Sequence, residues 1–401
     1  MIIGGGASGL MAAIAAVENG KKVILLEKND QVGKKLLITG KGRCNVTNFS
    51  DVKEHIANIV NNGKFMHNAY HQYFVKEVMD FFESENVPLK IERGNRVFPV
   101  SDKAKDIVDC LYQKAQTLGV SIFKEHVLSI EKKDATFIIQ TQSGKTYHAE
   151  SVILCTGGAS YPGTGSTGDG FRWAKKFGHQ VQNPKAALVP MLVKELDTVQ
   201  RLQGLSLRNV EISIINSDDK IIFQDFGEML FTHFGVSGPL ILTASSFIDN
   251  CDNCKLNIDL KPALTEEQLH SKIQRIIEDS PKKQFKSILP ILLPRLFIPV
   301  FIASSSVPES HVISNLTKQQ RNTIVFLLKH FTLTLAGFAP LKEAIITRGG
   351  VSVSEINPKT MESKLVEGLF FAGELIDVDA LTGGFNLQIA FSTGYVTGTH
   401  C

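Results

Sequence analysis

The chain has 401 residues, 43% hydrophobic and 21% charged, with a net charge of +3. That length can bury a sizeable core in two or three domains, and the composition excludes a disordered or fibrous chain. The charge is too small to imply a nucleic-acid partner, and the six scattered cysteines show no disulfide framework, so a reducing cytoplasm is the expected home.

The opening stretch, MIIGGGASGLMAAIAAVENGKKVILLEK, predicts a strand, a turn, a helix and a second strand. Gly4, Gly6 and Gly9 form G-x-G-x-x-G, with Ala7 and Ser8 at the turn into an apolar helical run over Leu10 to Val17. The first glycine permits a tight turn, the second lets a pyrophosphate approach the backbone, and the third lets helix and strand pack closely. The helix start offers free N–H groups and a positive dipole end. The second strand, predicted over Val23 to Leu26, ends at Glu27 and Lys28, where a carboxylate would bind a ribose. Together these predict a dinucleotide site. A chain that starts straight into a strand leaves no room for a signal peptide.

Residues 33–49, GKKLLITGKGRCNVTNF, follow at the sheet edge where cofactors lie. Lys34, Lys35 and Arg43 are candidates for phosphate charge. Thr39 and Asn45, with Gly40 and Cys44 beside them, are candidates for a flavin or ribityl edge. Residues 51–120 read as mainly helical, with Phe74, Val78, Phe81 and Phe82 as a buried face. Strands are predicted over Val120 to Phe123, His126 to Lys132 and Thr136 to Thr141, with the Val127 backbone placed to meet an adenine. Val152 to Cys155 reads as a buried strand that exits through Thr156, Gly157 and Gly158. Gly163, Gly165 and Gly168 form a second literal G-x-G-x-x-G. Tyr161 and Pro162 separate it from the strand, and no acid stands about 20 residues on, so it is expected to pack near the first site.

From Ala186 the chain predicts short strands over Leu188 to Val193, Val210 to Ile215, Ile221 to Gln224 and Met229 to Thr232. Cys251 and Cys254 form C-x-x-C without the context of a redox or zinc motif, and no metal site is expected. The apolar run from Ile288 to Ile302 is broken by prolines and too short to span a membrane. Thr265 with Gln268, and Thr317 with Gln320, predict capping boxes. Leu369 to Ala372 reads as a last strand leaving through Gly373 and Glu374. Gly383 and Gly384 then open a helix that begins Phe385, Asn386, Leu387. Glu374 would reach a ribityl hydroxyl, and the helix N-terminus would face the N1–C2 edge of a flavin, which favours FAD over NAD.

GKGRCNVTN, TGGASYPGTGSTGDG, FTHFGVSGP, TRGGVSVSEINPKTMES and FAGELIDVDALTGGFNLQIAFSTG together resemble the motifs of a bacterial FAD-dependent flavoprotein family, described as YhiN-like, BaiN-like or aminoacetone oxidase-like. The resemblance runs nearly end to end. It implies an α/β fold: a Rossmann-type FAD-binding domain over 1–187 and 345–401, an inserted β-barrel-like domain over 188–262 and 331–344, and a small helical domain over 263–330. It implies an oxidoreductase, with reduction of a conjugated enone and oxidation of a small aminoketone both assigned within the family. The leading expectation is hydride transfer through flavin N5, from NAD(P)H to a small organic carbonyl or enone. Alternatives are an oxygen-using amine oxidase and an FAD-binding redox sensor or partner-binding flavoprotein. Tyr161 is a candidate proton donor to a carbonyl, and Arg348 a clamp for a polar substrate or nicotinamide phosphate. The expected partner is a small-molecule substrate, with no nucleic acid and no membrane; the oligomeric state stays open.

Overall fold

Four apolar, largely buried runs and one mostly exposed edge strand build a parallel sheet of five strands. The computed structural model describes residues 1–401. The sheet order is Leu369–Phe371, Val152–Leu154, Ile2–Ile3, Ile24–Glu27 and Ser121–Lys124. Ile2 and Ile3 make only a two-residue strand, yet they pair on both sides, with Ile153 and Leu154 and with Leu25 and Leu26. The first helix, Ala7–Glu18, packs under the sheet against the last helix, Phe385–His400. Their backbones approach so closely that a Cβ on Gly394 would lie 2.4 Å from the Ser8 carbonyl and one on Gly398 2.3 Å from that of Ala12. An antiparallel sheet of Val127–Lys133, Thr136–Thr141 and Thr146–Ala149 belongs to the same unit.

The chain divides into two units, residues 1–187 with 340–401, and residues 188–339. The return to the first unit thus comes at Pro340, earlier than the expected 345. Residues 51–120 are less helical than expected. Helices Val52–Ala57, His67–Gln72, Val75–Ser84 and Ala104–Thr117 alternate with strands, and a hairpin of Leu89–Glu92 and Arg96–Pro99 pairs with Thr47–Asn48. The turn residues Arg93, Gly94 and Asn95 mark this hairpin, and a helix-period reading passes over them. Val78 and Phe82 do face the core.

The second unit is a closed barrel in the order Met191–Val193, Gly235–Ser237, Ile221–Phe231, Ser206–Ile215, Lys255–Asp259 and Phe331–Phe338. Ile221–Phe231 is one continuous strand rather than two: the partner strand bulges between Leu207 and Val210, so that Gly227 still pairs with Val210 and leaves room for Leu240. Thr265 and Thr317 each cap a helix through the expected box, opening Glu266–Asp279 and Lys318–Lys329. These helices and the barrel share one apolar core containing Phe231, Phe285, Phe297, Phe301 and Phe331, so the helical segment does not stand as a unit of its own. Prolines break the run 288–302 into short turns and the helix Ile298–Ser305. No helix is long and apolar enough to cross a membrane.

Candidate cofactor site at the carboxyl edge of the parallel sheet

The site begins where Ile2–Ile3 runs out. Gly4 has φ +103°, and a Cβ there would stand 2.4 Å from the Cys155 carbonyl oxygen. A Cβ on Gly9 would stand 1.9 Å from the Gly4 carbonyl oxygen, so helix and loop touch only because neither residue has a side chain. Gly6 is different: nothing lies within 4 Å of a Cβ built on it, and its φ of −83° suits any residue. Its lack of a side chain leaves the Ala7–Ser8 turn open from outside. Gly6 caps the first helix and no side chain accepts from its first turn, so those N–H groups are available to an anion. This open, donor-lined turn fits a pyrophosphate.

Glu27 closes the second strand with its side chain buried. Its Oε2 accepts from Gly5 N (2.7 Å), and its Oε1 from Asn29 N (2.8 Å) and Nδ2 (2.7 Å). The carboxylate is thereby fixed beside the glycine turn, with acceptor capacity left for a ribose hydroxyl. Glu27 O also accepts from Glu125 N, which brings the start of Val127–Lys133 to this exit. The Val127 side chain is buried, so only its backbone can meet a ligand.

The basic candidates divide sharply. Lys28 Nζ donates to Thr167 Oγ1 (2.5 Å) and pairs with Asp169 Oδ2 (2.7 Å). Lys34 pairs with Asp30 on the surface at 2.6 Å. Arg43, expected near phosphate, instead lies over the Phe98 ring at 4.2 Å and pairs with Glu92 and Asp102. Lys35 reaches the strand exits: its Nζ donates to Ser160 Oγ (2.8 Å) and pairs with Glu374 Oε2 (2.6 Å). Glu374 Oε1 accepts from Thr347 N (2.7 Å) and Ser160 Oγ (3.1 Å). Burial opposes charge on Glu374, but the Lys35 ammonium and the Lys35 and Thr347 hydrogen bonds outweigh it and hold the carboxyl below its ordinary range.

Thr347 Oγ1 also accepts from Ala159 N and Ser160 N, and a Cβ on Gly158 would meet it at 2.3 Å. The Thr156–Gly157–Gly158 exit is thus tied to the strand Ile346–Arg348 and to the Gly373–Glu374 exit. Tyr161 and Arg348 each follow one residue of that shared contact. Tyr161 is in the left-handed region (φ +49°) and half-buried. Arg348 Nε donates to Asp379 Oδ2 (3.3 Å), whose carboxyl burial raises and Arg348 only partly lowers.

The last helix starts at Gly384 with no side-chain cap, so its first N–H groups also point outward. A Cβ on Gly384 would stand 2.4 Å from the Thr47 carbonyl, which packs residues 33–49 against this helix start. Asn386 holds the turn by bonding Ala380 through both amide atoms. Phe385 is buried and Leu387 is half-buried against the core, so both can serve a cofactor only through backbone. Thr39 Oγ1 bonds Leu36 O, and Gly40 has φ +56°. Cys44 is fully buried, its thiol pushed up to about 12 by burial, while Asn45 Oδ1 is buried without a partner. Sequence reading missed Asn29, Asn48, Ser160, Thr347 and Asp379. Asn29 carried a signal, a turn amide two residues past the acid; the others meet only through tertiary structure.

A glycine-turn βαβ unit with a second uncapped helix at the same sheet edge defines a Rossmann-type, FAD-binding protein. The chain matches the HI0933-like protein Rossmann domain over residues 1–400, and it belongs to that family of FAD-dependent oxidoreductases. It is 31% identical to the ribosomal RNA dihydrouridine synthase of Haemophilus influenzae, covering 98% of this chain and 96% of that one. It is 30% identical to the 3-dehydro-bile acid delta(4,6)-reductase of Clostridium scindens, covering 99% and 97%. Among solved structures it resembles the 3-ketosteroid-delta4-(5alpha)-dehydrogenase of Rhodococcus jostii, with TM-score 0.51 and 15% identity over 100% of this chain and 95% of that one. That likeness speaks to fold.

Proposed function

We propose that this protein is an FAD-dependent reductase of carbon–carbon double bonds conjugated to a carbonyl, with NAD(P)H as donor. The observation that carries the reading is the uncapped start of the last helix at Gly384, whose chain packs further along against the Gly373–Glu374 exit through Thr393. Its dipole favours negative charge on the pyrimidine edge of a reduced flavin. Two relatives support the substrate class. Uridine becomes dihydrouridine by saturation of a ring double bond conjugated to a carbonyl, and a 3-dehydro-delta(4,6) bile acid holds a conjugated dienone.

Bound FAD would supply the hydride transfer. The net reaction adds a hydride to the β-carbon and a proton to the α-carbon, while NAD(P)H becomes NAD(P)+. In this reading Glu27 holds the ribose and the Gly4–Gly9 turn the pyrophosphate, while Glu374 meets the ribityl chain. Arg348, held by Asp379, would polarise the substrate carbonyl, and Tyr161 would deliver the proton. Six free cysteines suit a reducing cytoplasm. The test is anaerobic: protein loaded with FAD is mixed with NADH or NADPH, then with cyclohexenone or uridine-containing RNA. Bleaching by the nicotinamide, followed by flavin recovery on adding either acceptor, is expected. Recovery only with oxygen, accompanied by peroxide, would make it an oxidase instead.

A further inference from the structure

Two buried carboxyls stand beside one guanidinium where the strand Ile346–Arg348 meets the short strand Asp379–Ala380. Asp377 is well supplied with donors. Its Oδ1 accepts from Asn61 Nδ2 (2.8 Å) and its Oδ2 from Asn62 Nδ2 (3.1 Å). Asp379 is not. Its Oδ2 accepts from Arg348 Nε (3.3 Å), but its Oδ1 is buried without a hydrogen-bond partner.

The charges do not balance either. Arg348 acts on both carboxyls, so two negative groups that water barely reaches would share one cation. Burial raises both carboxyls above their ordinary range, and the Asp377 charge raises Asp379 further. One proton makes the cluster neutral. It belongs on Asp379, because the two asparagine amides stabilise the ionised form of Asp377 and Asp379 Oδ1 has no such donor. Arg348 occupies Oδ2, so the proton sits on Oδ1. An O–H there has no acceptor within the protein, and a buried donor left unmade is costly. An acceptor atom on a bound molecule satisfies it.

The position suits that role. Asn386 bonds Ala380 through both amide atoms, at 3.0 and 2.7 Å, which ties Asp379 to the start of the last helix. Arg348 follows Thr347, whose N–H meets Glu374 and whose Oγ1 accepts from Ala159 and Ser160. Resting on the reductase reading above, we infer that Asp379, through a proton on Oδ1, is a second donor beside Arg348 to the substrate's carbonyl oxygen. As hydride bonds to the β-carbon, the electrons of the double bond move to that oxygen. Asp379 and Arg348 meet the enolate charge, Asp379 keeps its proton, and the α-carbon takes its proton from Tyr161. A carboxylic acid held neutral by burial donates in this way at neutral pH.

The experiment uses the full chain loaded with FAD, the variants Asp379→Ala and Asp379→Asn, and cyclohexenone as probe. Infrared difference spectra between the unmodified protein and Asp379→Asn near neutral pH should show the carbonyl stretch of a protonated carboxyl. The carbonyl stretch of cyclohexenone bound to the oxidised protein should move to lower frequency. Reoxidation of the reduced flavin by cyclohexenone should slow about a hundred- to a thousandfold in Asp379→Ala, the loss for one donor to an oxyanion. Asp379→Asn keeps an N–H donor and an acceptor for Arg348, and should recover at least about tenfold of that loss. The unmodified rate should fall relative to that of Asp379→Asn as the pH rises and Asp379 loses its proton. A role confined to holding Arg348 predicts an ionised carboxyl, no such band, and Asp379→Asn as slow as Asp379→Ala. Absence of the band, an unmoved enone frequency or equal rates in the two variants would overturn the inference. If Asp379→Ala loses FAD, the band and the pH dependence of the rate ratio decide without it. No reoxidation by cyclohexenone, with band and frequency shift intact, would sink the reductase reading alone.

Discussion

The chain writes G-x-G-x-x-G twice, and the two copies fold into different things. Gly4, Gly6 and Gly9 leave a strand at once and feed the twelve-residue helix Ala7–Glu18. Gly163 lies within the short turn Pro162–Thr164, Gly165 ends it, and Gly168 feeds the eight-residue helix Asp169–Lys176. In the first copy the middle glycine faces open space; in the second it faces Asn29, whose Nδ2 would stand 2.5 Å from a Cβ on Gly165. Asn29 also donates to Thr164 O, and Lys28 reaches Thr167 and Asp169. The second loop is thus consumed by contacts to the exit of the second strand, and the first is left for a ligand. Spacing alone does not make a phosphate loop; a vacant approach to the backbone does.

The sharpest break of that contrast is at Gly9. A Cβ 1.9 Å from the Gly4 carbonyl cannot be accommodated without moving the helix, so Gly9→Ala should cost at least about 3 kcal/mol and abolish flavin retention. Gly163→Ala, with nothing within 4 Å of its Cβ, should be nearly silent. Melting temperature and flavin absorbance of the two variants measure the difference directly. Equal behaviour would mean the loops are equivalent after all.

Gly6→Leu separates fold from ligand. The position tolerates a side chain in both φ and space, so melting of the FAD-free protein should change little while FAD binding is lost. A variant that still purifies yellow would move the pyrophosphate elsewhere. Glu27→Ala is milder. Losing charged hydrogen bonds of about 1.5–3 kcal/mol should weaken FAD roughly ten- to hundredfold by titration, and an unchanged dissociation constant would reassign the ribose contact.

What could be read in advance follows the same division. The first glycine loop, Glu27 and the strand exits were legible because each is written in adjacent residues. The short strands after Ala186 and the capped helices at Thr265 and Thr317 were legible as pattern, whereas the closure of those strands into a barrel and the family came from resemblance. Lys35 and Glu374 are 339 positions apart, and nothing local marks them as partners. Arg43 looked like a phosphate ligand because its neutralising partners are Glu92, on a hairpin that the helical reading of 51–120 overlooked, and Asp102, in the turn that follows that hairpin. The errors thus lie where a charge's partner comes from elsewhere in the chain.

The smallest expected effect tests what holds the second loop closed. Lys28 and Asp169 sit 2.7 Å apart with side chains 23% and 17% exposed. Burial works to raise the Asp169 carboxyl, but hydrogen bonds from Lys28 and Thr167 and the Lys28 charge lower it below its ordinary 3.8. A carboxyl whose folded pKa is depressed adds stability that is fully present above the unfolded value and lost as pH falls through the folded one. Lys28→Met should therefore lower stability by about 1 kcal/mol at neutral pH, since water still reaches and partly screens both charges. The gap between variant and unmodified protein should hold above the ordinary carboxyl value of 3.8 and narrow as the pH falls through the lower folded value, where Asp169 protonates in both. Denaturant midpoints across that range report it. A gap that does not narrow at all as the pH is taken below 3.8 would mean that Lys28 works through its charged bond to Thr167 and not through the ion pair.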